Sequence, residues 1–185
     1  EAMGVNSRAQ LSVASKIMQQ RIQQEMMESG VTIVDPDNTW IDARAQIGQD
    51  TVIEPFTYIH GPIRIGRGCR IGPFAFLRDD TVIEDDVVLG VFTEVKDVTL
   101  AGGVRARHHS YLGDAVIGRN VNIGAGSITA NFDGQTISQT TVGDDCYIGS
   151  GAVLIAPLVL PPGAHIGAGT VISQDNVNEL NKEQR

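Results

Sequence analysis

The side chains best suited to chemistry in this 185-residue chain gather in residues 105–134. The segment reads RARHHSYLGDAVIGRNVNIGAGSITANFDG and interrupts an otherwise repetitive sequence with His108, His109, Tyr111 and Asn122. A neutral imidazole can accept a proton from an attacking nucleophile near neutral pH. The segment therefore contains a candidate general base, although an isolated histidine is more often structural or simply exposed.

Two cations, Arg78 and Lys96, are 18 residues apart. This distance equals three units of a six-residue repeat, described below, that fills most of the chain. If three repeats make one coil, the two side chains stack on successive coils about 5 Å apart, with His60 one coil earlier. Like charges at this distance repel, so a bound anion such as a phosphate would account for the arrangement. Alternatively, the two cations splay into solvent or pair with Asp79 and Asp97.

Aliphatic residues recur at every sixth position from residue 41 to residue 95. The ten positions are Ile41, Ile47, Ile53, Ile59, Ile65, Ile71, Leu77, Ile83, Leu89 and Val95. A small or β-branched residue stands two positions before most of them, so each short strand alternates between core and solvent. The spacing slips by one residue at Leu100 and again at Ile117, and it recovers from Val142 onward. This repeat predicts an all-β fold, a parallel β-helix in which each coil buries its inward face against its neighbours.

The same repeat predicts which way the cysteines and several aromatic residues point. Cys69 and Cys146 occupy inward positions, which favours core packing over a disulfide framework or reactive thiols. Trp40, Tyr58 and Phe76 recur at every third repeat on one outward face. Stacked outward aromatics need cover, either from an N-terminal helix or from another copy of the chain.

An α-helix is predicted over residues 7–29, with Asn6 or Ser7 as its N-cap and Gly30 as its terminating residue. Its apolar stripe consists of Leu11, Ala14, Met18, Ile22 and Met26. Such a stripe is typical of a helix that packs on its own domain or links to a preceding one. The predicted organisation is a linker helix over residues 1–30, a β-helix domain over residues 31–172 and a polar tail over residues 173–185.

The repeat is interrupted once more near the end of the chemical segment. Two positions due for aliphatic residues hold Thr129 and Gln135 instead. Residues 128–141 are therefore predicted to form a loop that leaves the coil and carries Asn131 and Phe132. Loops on rigid scaffolds commonly complete binding sites.

Composition and patterning disfavour several classes of partner. The formal charge of −8 and the pI near 4.8 argue against nucleic acid or an anionic membrane surface. The sequence has neither an apolar run of about 18 residues nor a signal peptide, so we expect a cytoplasmic protein. Zinc on His108 and His109 is disfavoured, because adjacent side chains diverge and His60 and His165 lie many coils away. We therefore expect no metal in this chain.

With these motifs, the chain resembles the C-terminal acetyltransferase domain of the bacterial bifunctional UDP-N-acetylglucosamine pyrophosphorylase/glucosamine-1-phosphate N-acetyltransferases, a hexapeptide-repeat family. The resemblance covers nearly the whole chain, and its strongest segments are GVNSRAQL, IGPFAFLR, VFTEVK and HHSYLGDAVIGRNVNIGAGSITANFDG. It implies a left-handed β-helix and a homotrimer with active sites between subunits. Its GVNSRAQL segment resembles the junction that follows the uridylyltransferase domain in that family.

The implied reaction transfers an acetyl group from acetyl-CoA, the co-substrate, to the amine of glucosamine 1-phosphate. This step belongs to UDP-N-acetylglucosamine biosynthesis for the cell envelope, and it needs no metal in this chain. His108 matches the general base of the family. The resemblance assigns the sugar phosphate to Arg78 and Lys96, the sugar to Tyr111 and Asn122, and the acetyl-CoA path to Ala125, Asn131, Phe132, Ser150 and Ala168.

Several features depart from the family pattern. Phe132 stands where the family usually has tyrosine, and Ile137 stands where it usually has a phosphate-binding lysine. The chain is also shorter between Ile53 and Ile71, and its tail lacks the usual basic ending. Two alternatives therefore stay open: acetylation of another amino sugar, and a non-catalytic trimerisation scaffold for a uridylyltransferase domain.

Overall fold

The computed structural model of the chain describes residues 4–177, which form a parallel β-helix with an α-helix at its N-terminal end. In these residues, strands of two to seven residues pair in parallel with strands of the coils before and after. This confirms the predicted all-β parallel β-helix. Its left-handed sense of winding stays a prediction from the hexapeptide repeat. Most of the predicted tail at residues 173–185 lies outside the described residues.

Each coil contributes strands to three faces of the β-helix. The first face contains β1 (Thr32–Ile33), β4 (Val52–Ile53), β7 (Arg70–Ile71), β10 (Val88–Val91), β12 (Arg105–His108), β14 (Asn122–Ile123), β17 (Tyr147–Ile148) and β20 (His165–Ile166). The second face contains β2 (Trp40–Ile41), β5 (Tyr58–His60), β8 (Phe76–Arg78), β11 (Glu94–Leu100), β13 (Tyr111–Ile117), β15 (Ile128–Ala130), β18 (Val153–Ile155) and β21 (Val171–Ile172). The third face contains β3 (Gln46–Ile47), β6 (Arg64–Ile65), β9 (Val82–Ile83), β16 (Thr140–Val142) and β19 (Leu158–Leu160), joined by the C-terminal halves of β11 and β13. A short 3-10 helix (Pro36–Asn38) precedes β2.

The inward side chains of the coils form one continuous hydrophobic core. The predicted aliphatic positions from residue 41 to residue 95 are buried, apart from Ile47, which is partly buried. Cys69 and Cys146 are free thiols that are 1% and 2% exposed. Burial raises the pKa of both thiols, so their predicted role as core residues is confirmed.

The helix α1 spans Arg8–Glu28, within the predicted bounds of 7–29. Ser7 is its N-cap, since the Ser7 hydroxyl accepts a hydrogen bond from the backbone N–H of Gln10 at 3.1 Å. Gly30 follows the helix with a φ of 100°, in the left-handed region that commonly ends a helix. Both ends of α1 thus follow from the sequence.

The buried side of α1 differs from the predicted apolar stripe. Leu11 and Met18 of that stripe are 55% and 49% exposed, so the prediction is wrong for these two residues. Gln19 and Gln23 are buried instead. The physical reason is that α1 packs on the first coil, where the peptide groups of β2 need polar partners on their open side.

The two buried glutamines complete the open edge of β2. The side-chain amide of Gln19 donates to the carbonyl of Ile41 at 2.7 Å and accepts from the backbone N–H of Ile41 at 2.9 Å. Gln23 donates to the carbonyl of Thr39 at 2.7 Å. The carboxamide of Gln19 therefore takes the hydrogen-bonding place of a peptide group on a preceding strand, and it covers an edge that could otherwise pair with another chain.

The predicted loop at residues 128–141 is shorter than expected. The strands β15 and β16 occupy its two ends, which leaves residues 131–139 outside the coil. Thr129 takes the inward place of the missing aliphatic residue and is fully buried. Its hydroxyl donates to the carbonyl of Gly113 at 2.9 Å and accepts from the backbone N–H of Gly113 at 2.7 Å. A threonine can therefore replace an aliphatic residue here, because its polar atom is satisfied within the core.

Replacing Gln19 with alanine should destabilise the protein, because the peptide groups of Ile41 would lose their side-chain partner. We expect Gln19→Ala to lower the free energy of unfolding by about 1–3 kcal/mol, measured by urea denaturation at one fixed protein concentration. Gln20→Ala is the matched control, since Gln20 is exposed on the same helix, and it should change this free energy by less than about 0.5 kcal/mol. Equal stability of Gln19→Ala and the wild type would contradict the role of Gln19 at the strand edge.

Candidate active site

The first corner is the turn by which each coil passes from the first face to the second. Four predicted site residues, His108, Ala125, Ser150 and Ala168, lie on this corner in consecutive coils. On the first face, β12 pairs with β14, β14 with β17, and β17 with β20. Paired residues are 17, 25 and 18 positions apart in these three pairings. The four site residues are separated by the same numbers of positions, so they align along one edge of the β-helix.

Successive turns of the first corner are in backbone contact. The backbone N–H of Gly151 donates to the carbonyl of Ala125, and that of Gly169 donates to the carbonyl of Ser150, both at 2.8 Å. A Cβ on Gly124 would lie 2.4 Å from the backbone nitrogen of Ser150, so only glycine fits there. The corner therefore presents a line of small, exposed side chains at Ala125, Ser150 and Ala168.

A pocket of about 250 Å³ opens on the second-face side of this corner. His109 lines it together with Phe92, Glu94 and Tyr111. His109 adopts a left-handed backbone conformation with a φ of 40°, whereas His108 is the last residue of β12, and both side chains are exposed. The two adjacent histidines therefore have different surroundings.

The second corner is the turn by which each coil passes from the second face to the third. Strand pairing there aligns His60 with Arg78, and Arg78 with Lys96. The two cations thus occupy neighbouring coils, as their separation by three repeats predicts. Their side chains are 29% and 18% exposed, so both are partly withdrawn from solvent.

Arg78 and Lys96 each contact two carboxylates. Arg78 lies 2.8 Å from Asp79 and from Glu94, and Lys96 lies 2.9 Å from Asp97 and 3.3 Å from Asp114. A hydrogen bond to Glu94 is the main cause that raises the pKa of Arg78. A hydrogen bond to Asp97 is the main cause that raises the pKa of Lys96, so both side chains stay protonated. The carboxylate pairing that the sequence left open as an alternative is therefore present.

Asn131 connects this cluster to Tyr111. Its side-chain amide donates to the carboxylate of Asp114 and, at 3.3 Å, to the hydroxyl of Tyr111. Tyr111 begins β13 beside the pocket, so its ring extends from the pocket towards the second corner. Lys96 and Tyr111 therefore belong to one polar network that runs through Asp114 and Asn131.

Residues 131–139 form a hairpin-like loop at the second corner. Phe132 and Ile137 pair in an antiparallel bridge and are 59% and 55% exposed. The carboxylate of Asp133 accepts hydrogen bonds from two backbone N–H groups of the turn, at 2.8 and 2.7 Å, and these bonds lower the pKa of Asp133. Asn131 and Phe132 are thus at the second corner of their own chain, apart from the other residues predicted for the acetyl-CoA path.

Within one chain, His108 and the two cations lie at different corners. Lys96 pairs with Gly113, which is five residues beyond His108 and so up to about 16 Å along the chain. Asn122 lies on the first face, on the far side of the first corner. The predicted residues therefore form two groups, one at each corner, and Tyr111 lies between them.

The first corner carries an aromatic ladder that was not predicted from the sequence. Phe56, Phe74 and Phe92 stack with ring centroids 4.7 and 5.3 Å apart, and they are 45–57% exposed. Their recurrence at every third repeat is the sequence signal that could have revealed the ladder. Tyr58 and Phe76 on the second face are also exposed, so α1, one of the two covers that the sequence left open, does not cover these two aromatic residues.

The described part of the chain contains neither a cluster of metal ligands nor a membrane-spanning helix. Within residues 4–177, no group of three or more His, Cys, Asp or Glu side chains could hold a metal ion. Over the same range, no helix is long and apolar enough to cross a membrane.

Comparison with known proteins identifies the repeat. The family "Bacterial transferase hexapeptide (six repeats)" matches residues 44–79, and the family "Hexapeptide repeat of succinyl-transferase" matches residues 139–174. Among solved structures, an Arabidopsis UDP-N-acetylglucosamine acyltransferase is similar with a TM-score of 0.54 and 16% identity, over 77% of this chain and 66% of that chain. This similarity shows a shared fold.

Two curated relatives match nearly the whole chain. The bifunctional protein GlmU of Caldanaerobacter subterraneus is 40% identical over 208 residues, which cover 95% of this chain and 46% of the relative. GlmU of Thermotoga petrophila is 39% identical over 208 residues, which cover 95% of this chain and 47% of the relative. This chain thus spans about half the length of these relatives, and an alignment of 208 residues against its 185 means that they also carry residues it lacks. The chain therefore carries hexapeptide repeats and, over 95% of its length, is homologous to part of the GlmU proteins.

Proposed function

We propose that this chain is an acetyl-CoA-dependent N-acetyltransferase that converts glucosamine 1-phosphate to N-acetylglucosamine 1-phosphate. Its identity of 38–40% to GlmU proteins over 95% of its length supports this proposal. The observation that carries it is the alignment of a histidine, His108, with the small residues of the first corner. The product enters UDP-N-acetylglucosamine biosynthesis, and the enzyme acts in the cytoplasm.

Acetyl-CoA lies along the first corner in this proposal. The small side chains of Ala125, Ser150 and Ala168 leave room for the slender pantetheine arm. Three coil spacings of about 4.8 Å give a path of about 14 Å from His108 to Ala168. If the arm runs along this path, the thioester lies next to His108, and the corner fixes its position relative to the base.

His108 acts as the general base. Its imidazole accepts a proton from the acceptor amine while the amine nitrogen attacks the thioester carbonyl and the new C–N bond forms. The tetrahedral intermediate collapses as the C–S bond breaks, and the proton passes to the departing thiolate of CoA. A positioned acid–base side chain contributes about 10²–10⁴ in rate, and holding both substrates in one geometry adds to this acceleration.

The complete site forms between two copies of the chain, in a homotrimer. Within one chain the base lies at the first corner and the cations Arg78 and Lys96 lie at the second, up to about 16 Å away along the chain. In this proposal the substrate lies between the first corner of one copy and the second corner of the next, where it contacts both groups. The exposed aromatic residues of the first corner and the second face supply an apolar surface for this contact.

A second candidate function, acetylation of a different amino sugar, is favoured by the loop at the second corner. Ile137 and Phe132 are exposed apolar residues there, where the family resemblance implies a phosphate-binding lysine and a tyrosine. The reaction chemistry at His108 is unaffected by these two residues. The alternative therefore concerns the acceptor and leaves the acetyl transfer itself unchanged.

Thiol release from acetyl-CoA distinguishes these functions. With glucosamine 1-phosphate as acceptor, we expect release of CoA well above the rate without acceptor, and little release with glucosamine 6-phosphate, because the 6-phosphate holds its charge at the other end of the sugar. Preference for another amino sugar would favour the second candidate. No acceptor-dependent release from a folded trimer would contradict both and favour a scaffold.

Asparagine substitutions of the two adjacent histidines test the assignment of the base. We expect His108→Asn to lower kcat by about 10²–10⁴, because the side-chain amide of asparagine does not accept the amine proton. His109→Asn is the matched control, since asparagine tolerates the positive φ of His109, and it should retain kcat to within about tenfold. The reverse pattern would assign the base to His109.

A further inference from the structure

Carboxylates outnumber cations in the cluster around Arg78 and Lys96. Two cations, Arg78 and Lys96, lie within 2.8–3.3 Å of four carboxylates, which leaves this cluster with a net charge of −2. A phosphate monoester carries about −1.5 to −2 near pH 7. Its approach to the two cations is therefore opposed by charge that is already in place, and it competes with the existing ion pairs for the same cations.

The loop at the second corner does not offset this negative charge. In residues 131–139, NFDGQTISQ, the only charged side chain is the carboxylate of Asp133. Ile137, which belongs to this loop, is apolar and exposed. Of the residues assigned to the sugar phosphate, only Arg78 and Lys96 therefore supply positive charge at this corner.

The four carboxylates differ in what else they do. Glu94 also lines the pocket beside His109, and Asp114 also accepts a hydrogen bond from Asn131. Among the contacts of residues 4–177, the carboxylates of Asp79 and Asp97 contact only the cation that directly precedes each of them. Both aspartates have a positive φ, 57° and 45°.

We propose that Asp79 and Asp97 are specificity-determining residues that compete with the phosphate of the acceptor for Arg78 and Lys96. The inference rests on the proposed function, because it concerns the acceptor of that same reaction. This competition weakens the binding of an acceptor that carries a doubly charged phosphate monoester. It affects acceptors with one charge or no charge at this position less. The acceptor range is therefore set by internal carboxylates as well as by the cations.

The test uses Asp79→Asn, Asp97→Asn and the double variant of the full chain. Asparagine has nearly the same size and tolerates a positive φ, so the backbone of the corner is preserved. We expect the KM for glucosamine 1-phosphate to fall about two- to fivefold in each single variant and about tenfold in the double variant. The KM for glucosamine, which lacks the phosphate, should stay within about twofold in all of them.

Asp80→Asn is the matched control. It removes the same charge one residue from Asp79, but Asp80 is exposed and does not belong to these ion pairs. Its effect on either KM should stay within about twofold, since solvent screens an exposed charge. An unchanged or raised KM for glucosamine 1-phosphate in the double variant would overturn the proposal, as would an equal fall in the KM for glucosamine.

Calorimetry keeps this test separate from the test of the reaction. Absence of acceptor-dependent acetyl transfer by the wild type would contradict the proposed function. The dissociation constant of glucosamine 1-phosphate, measured without acetyl-CoA, reports on the competition even then. About tenfold tighter binding by the double variant supports the proposal, and equal or undetectable binding in both proteins overturns it.

Discussion

Backbone hydrogen bonds between successive coils are the constraint on which the rest of this molecule depends. They hold neighbouring strands about 4.8 Å apart and fix their register, so the offset between coils decides which residues are neighbours. The inward aliphatic residues maintain this register, because a slip by one position would turn them towards solvent. The same repeat places Arg78 beside Lys96, stacks the aromatic ladder and aligns the small side chains of the first corner. At the N-terminal end, where the stack lacks a preceding coil, glutamines of α1 supply the missing hydrogen bonds.

The same constraint divides the candidate site. A β-helix with a paired backbone cannot bend one of its faces to bring His108 towards Lys96, so the two groups stay at opposite edges of the second face. Under the proposed function the complete site forms between copies of the chain, so that assembly would be a condition for catalysis. This also gives a role to Phe56, Phe74 and Phe92, whose exposed rings lie on the same corner as His108. Binding of the acceptor then depends on the charges of the second corner, where carboxylates already engage both cations.

Much of this arrangement could be predicted from the sequence, because a six-residue aliphatic period fixes strand register and hence neighbours. The position of Arg78 beside Lys96 follows from spacing alone. Spacing does not fix side-chain conformation, so the contact of Lys96 with Asp114 could not be predicted in the same way. The apolar stripe on α1 is misleading, since it presumes an apolar partner surface, whereas the open edge of β2 offers peptide groups to Gln19. From the sequence, Thr129 is assigned to a loop because it stands where an aliphatic residue is due. The sequence does not reveal that the backbone of Gly113 satisfies its hydroxyl within the core.

Mixed trimers of two defective variants test the central claim most directly. Lys96→Met and His108→Asn, each of which should be inactive alone, are co-expressed with different affinity tags and purified in tandem. If the site combines His108 of one copy with Lys96 of the next, every mixed trimer contains one intact site, whichever variant is in excess. The mixed trimers should then recover about one third of the wild-type activity. Activity no higher than that of either variant alone would contradict a site shared between copies.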